Sequence, residues 1–89
     1  MEIHSEKDFP ELRKYLRKMA DRHSMFRKDV SRIETAIENH ITNYSKSLVK
    51  YRQTKSNVHI ENAQVEIDEI NRILKTVEKI ELMAMLSRR

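Results

Sequence analysis

Four histidines, His4, His23, His40 and His59, are the residues best equipped for chemistry in this chain of 89. No two of them stand three or four positions apart, so no single helical face offers a pair of metal ligands. There is no Cys to complete a zinc site, close a disulfide or act as a thiol nucleophile. There is no Gly, which removes the phosphate-cradling loop, the dinucleotide fingerprint and the nucleophile elbow. Glu66, Asp68 and Glu69 cluster on the polar side of a helical stretch, and Ser and Thr are scattered without a neighbouring base and acid. The expectation is a chain that is not an enzyme, with no catalytic residue, cofactor or metal ligand.

Basic residues offer a second kind of chemistry. Arg13, Lys14, Arg17 and Lys18, with Arg22, form an i, i+4 stripe, and Lys46, Lys50 and Arg52 form another inside a stretch without acids between Glu38 and Glu61. Such stripes can hold a phosphate backbone or an anionic membrane surface, and they are also what a solvated helix face looks like. Few aromatics stand among them for base stacking, and Asp21 and Asp29 interrupt the first stripe.

The elements that must carry these residues are helices. Hydrophobic residues make up 38% of the chain and charged residues 36%, a balance suited to long helices that each bury one stripe. Asp8-Phe9-Pro10-Glu11 reads as a helix start, with Asp8 capping, Pro10 in the first turn and Glu11 closing a capping box. From there Phe9, Leu12, Leu16, Met19, His23, Phe26, Val30, Ile33, Ile37, His40 and Tyr44 alternate steps of three and four, the coiled-coil rhythm. His23 and His40 fall in this seam, as polar layers that fix register or as a pH-responsive element. The stretch from Arg52 to Asn57 has nothing to bury, and Ile60, Ala63, Ile67, Ile70, Leu74 and Val77, joined by Ile73 and Ile80, restart the stripe.

The spacing predicts an all-α fold. A flexible segment 1–7 precedes one coiled-coil-like helical-hairpin domain, 8–89. Its long first helix covers about 8–54, the turn about 55–57 and the second helix about 58–88. One uninterrupted helix is the competitor, because no Gly or Pro enforces the break. In an antiparallel hairpin, Leu48 meets Val65, Ile41 and Tyr44 meet Ile70 and Ile67, Ile37 meets Leu74, Ile33 meets Val77 or Ile80, Val30 meets Met83, and Phe26 meets Leu86.

The same arithmetic leaves Phe9, Leu12, Leu16 and Met19 beyond the end of the second helix. Burying each is worth roughly 1.5–3 kcal/mol, so the expectation is a chain that assembles into a helical bundle. Its interface would use Phe9, Leu12, Leu16 and Met19 together with Leu82, Met83, Met85 and Leu86. The functional expectation is a structural or adaptor subunit of a larger intracellular complex, self-associating or joined to other helical subunits. Nucleic-acid binding and peripheral binding to an anionic membrane are the alternatives. No apolar run of signal-peptide kind occupies the first thirty residues and none reaches spanning length, so a soluble cytoplasmic or nuclear location is expected.

Overall fold

The computed structural model describes residues 1–23 and 27–87. Among them the regular structure is all helical, three α-helices preceded by a 3-10 turn: α1 Phe9–Arg22, α2 Arg27–Thr54 and α3 Asn57–Leu86, with the turn at Glu6–Asp8. The expected single helix over 8–54 is corrected, because α1 ends at Arg22 and lies antiparallel to α2, which begins at Arg27.

The reversal follows from burial. An unbroken helix would save a few backbone hydrogen bonds, each worth about 1 kcal/mol net. It would also leave four large apolar side chains of the first helix in water. Folding back buries Phe9, Leu12, Leu16 and Met19 almost completely. Their cover comes from their own chain, which corrects the expectation that a partner must supply it.

α1 runs antiparallel to α2 and parallel to α3. Phe9 meets Tyr44 edge-to-face with ring centroids 5.4 Å apart, and Arg13 pairs with Glu38, which precedes Tyr44 in α2. On the other side the Tyr15 hydroxyl donates to Glu81 of α3 at 3.3 Å. One core joins the three helices, with Val30, Ile37 and Ile41 from α2 and Ile67, Ile70, Leu74 and Val77 from α3.

Residues 1–7, expected to be flexible, are pinned instead. Ile3 is wholly buried, and its backbone exchanges two hydrogen bonds with the Asn71 side chain. Ser5 and Asp8 form the capping box that Asp8 and Glu11 were expected to make. The Asp8 carboxylate accepts the backbone N–H groups of His4 and Ser5, and these bonds hold its pKa below the ordinary value. Asp8 makes no side-chain cap to α1, which opens with Pro10 in its first turn.

The α2–α3 link is two residues, Lys55 and Ser56, beginning at the expected position but ending one residue sooner. Lys55 takes the left-handed conformation (φ 58°) that glycine would occupy more easily. Its N–H caps α2 on the Tyr51 carbonyl at 2.7 Å, and its ammonium lies 5.7 Å from the Tyr51 ring centroid.

α1 is about 21 Å long, against roughly 42 Å for α2 and 45 Å for α3 at the usual helical rise. It starts level with Tyr44, so the part of the α2–α3 pair nearest the link has no third helix over it. There Val49, Val58, Ile60 and Val65 stay exposed. The expected Leu48–Val65 pairing is thereby corrected: Ala63 takes the inward position and Val65 points out.

Candidate protein-interaction site

The last turns of α3 decide which side chains remain for other molecules. Val77, Ile80 and Ala84 take the inward positions at spacings of three and four, and all three are buried. Leu82, Met83, Met85 and Leu86 occupy the positions between and are at least half exposed, from 50% for Met83 to 60% for Met85. They form a girdle around the end of α3. The helix persists through it, because the Ser87 N–H reaches the Met83 carbonyl and the Ser87 hydroxyl donates to the Ala84 carbonyl, both at 3.0 Å.

Met83 therefore does not fill the seam opposite Val30, as expected. Val30 is buried by other neighbours while Met83 faces out. The expected Phe26–Leu86 pairing lies outside the described residues. Of the eight residues expected at an oligomer interface, the four on α3 are exposed and the four on α1 belong to the core.

Beside the girdle, Tyr15, Lys18, Met19, Arg22 and Glu81 line a small hollow of about 60 Å³. Burial raises the Tyr15 pKa, and the Glu81 carboxylate adds to the effect. His23 ends α1 here at 4% exposure, and its Nε2 has no hydrogen-bond partner among the described residues. His40 lies at the middle of α2, where its Nδ1 meets a Glu66 carboxylate oxygen and ties α2 to α3.

The other candidate residues separate. Glu66 turns to His40, Asp68 accepts from Gln64, and Glu69 pairs with Arg72, so the three carboxylates do not converge. Among the described residues no group of three or more His, Asp or Glu is placed to hold a metal ion. An open groove of about 630 Å³ lies where the N-terminal arm crosses α3, lined by Asp68, Asn71, Arg72, Lys75 and Glu78 with Met1 and Glu2. No helix among the described residues is long and apolar enough to cross a membrane.

The first basic stripe is partly consumed within the fold. Arg13 makes a two-pronged pair with Glu38, at 2.7 and 3.1 Å, which lowers the Glu38 pKa and raises that of Arg13. Lys14 pairs with Glu11, and Arg17 shares a hollow with Glu34 and Glu38. Lys46, Lys50 and Arg52 remain exposed and make no ion pair among the described residues. The exposure of Val49, Val58, Ile60 and Val65 follows from helix length, since the fourteen residues of α1 cannot cover partners of twenty-eight and thirty, and apolar spacing alone gives no sign of it.

No protein-family model, curated protein or solved structure matches the chain.

Proposed function

We propose that this chain is a structural or adaptor subunit, acting without catalysis by packing against other helices in a larger assembly. The observation that carries this reading is the girdle of Leu82, Met83, Met85 and Leu86. Single exposed apolar residues are ordinary, whereas four large ones within five positions mark a contact surface. Covering their exposed halves would contribute roughly 1 kcal/mol each on the area scale. Two methionines suit a contact that must adapt its shape to a partner. The simplest partner is a second copy, joined end to end about a two-fold axis; another helical chain is the alternative.

Sedimentation equilibrium on the full chain tests this. The wild-type mass should rise above that of a monomer across the micromolar range. Leu82→Glu with Met85→Glu should restore the monomer while far-ultraviolet circular dichroism stays helical. A wild-type chain that remains a helical monomer throughout would overturn self-assembly.

A further inference from the structure

The outer ridge of α2 carries a charge pattern unlike the rest of the molecule. Lys28, Arg32, Thr35, Asn39, Lys46 and Lys50 recur at helical spacing along it, and all six are exposed. The four cations make no ion pair among the described residues. The acids of α2 lie elsewhere. Glu34 and Glu38 line the hollow shared with Arg13 and Arg17 of α1, Asp29 falls on the flank, and none follows Glu38 before Glu61.

Docking of α1 therefore does more than fill the core, because it draws the neighbouring carboxylates under its own arginines and leaves the ridge without acids. Charge is also divided between helices. α1 has five Lys or Arg against two acids and α2 six against three, whereas α3 has three against six. The basic face belongs to the α1–α2 side of the bundle and is not a uniform excess.

We propose that this ridge binds the phosphate backbone of a nucleic-acid duplex, at a surface separate from the apolar girdle. Lys28 and Lys46 are eighteen residues apart, five full turns, which places two cationic pairs on one line about 27 Å apart. Between them stand amide and hydroxyl side chains, the neutral groups that also contact phosphate and sugar. Three features decide among polyanions. The six ridge positions hold no large apolar side chain, and the exposed Val49 beside Lys46 and Lys50 is a single residue, short of the apolar face that peripheral membrane helices require. The tyrosines at 15 and 44 are partly buried against the core, and Tyr51 is half-buried with the Lys55 ammonium over its ring, so no ridge position carries an aromatic platform for single strands. Two cationic pairs held on one face of a single helix can meet phosphates at two points along a duplex.

Fluorescence anisotropy with short mixed-sequence DNA and RNA duplexes tests the proposal and shows which duplex is preferred. With four phosphate contacts, affinity for DNA should fall roughly a hundredfold between about 50 and 200 mM salt. Lys46→Glu with Lys50→Glu should weaken binding and cut the salt slope by about half. Lys75→Glu with Lys79→Glu, an equal charge change on α3, should leave most of the binding intact. Circular dichroism on both variants confirms that the helices persist. Three results overturn the proposal: no duplex binding at the lower salt, equal weakening by the two double variants, or binding to phosphatidylserine vesicles without binding to a duplex.

Discussion

The Asn71 side-chain amide makes two hydrogen bonds to the backbone of Ile3, sixty-eight residues away: the Ile3 N–H donates to Oδ1 and Nδ2 donates to the Ile3 carbonyl, both at 2.8 Å. The amide thus does for the N-terminal arm what a neighbouring strand does in a sheet. It satisfies both backbone groups of a residue whose side chain is wholly buried.

Asn71→Ala should therefore cost about 1–3 kcal/mol, because two partly buried backbone groups lose their partner. In a domain of this size each kcal/mol lowers Tm by roughly 4–8 °C. Asn71→Asp keeps the acceptor but turns an oxygen toward the Ile3 carbonyl, so it should lose most of the same stability. Thermal unfolding followed by circular dichroism reads both, and an Asp variant as stable as the wild type would mean that the second bond is not made in solution.

Leu16 is buried by its own chain, so Leu16→Ala should destabilise by about 2–5 kcal/mol. That loss should be the same at every protein concentration. Leu82→Ala, at a half-exposed position, should change dilute-solution stability by less than about 0.5 kcal/mol. Urea midpoints at two concentrations a hundredfold apart check both, and a Leu16→Ala penalty that varies with concentration would show that α1 packs between chains.

The Arg13–Glu38 pair predicts a direction for acid sensitivity. Glu38 has a pKa lowered by Arg13 in the folded chain, so its contribution is present above the unfolded value of about 4.3 and fades as pH falls through the lower folded value. Glu38→Gln removes that contribution. The variant should be slightly less stable than the wild type at neutral pH, and the gap should close on acidification below about pH 4. Both side chains are about half exposed, so the difference is tenths of a kcal/mol and should shrink in high salt. Urea unfolding of the two chains from neutral to acid pH measures it.

His23 and His40 should respond oppositely to replacement by Leu. The Nε2 of His23 is buried without a partner among the described residues, so His23→Leu should raise stability by roughly 1 kcal/mol. His40→Leu strips the Glu66 carboxylate of its partner across α2 and α3 and should lower stability. Chemical denaturation at neutral pH compares them; equal effects would remove the distinction between an orphaned layer and a bonded one.

Much of this architecture was legible in the residues. The inward stripe Ala63, Ile67, Ile70, Leu74, Val77 and Ile80 follows from spacing alone, as does the interruption near Lys55, whereas Ile60, which the same spacing places in the stripe, is exposed. The reversal after Arg22 was not legible locally, because no Gly or Pro marks it and the three-four rhythm passes through His23 without a fault. The deficit it resolves was visible: Phe9, Leu12, Leu16 and Met19 had no counterpart in a two-helix arrangement. Hydrophobic pattern states how much must be covered but not whether the cover lies in the same chain. The proposed contact surface was half legible for the same reason. Leu82, Met83, Met85 and Leu86 outnumber the inward positions of one helix end, whereas the α1 quartet could be assigned only once its cover was known.

The two-residue link between α2 and α3 also sets an order of events. Contacts beside Lys55 and Ser56 close very small loops, whereas the Ile3–Asn71 bonds close a loop of sixty-eight residues, and loop-closure entropy delays distant pairings. The α2–α3 pair should form first and α1 with its arm should dock onto it last. Run in reverse, α1 is the part that opens locally while the rest stays folded. Amide hydrogen exchange would register this as weaker protection in α1 than in the middle of α2 and α3.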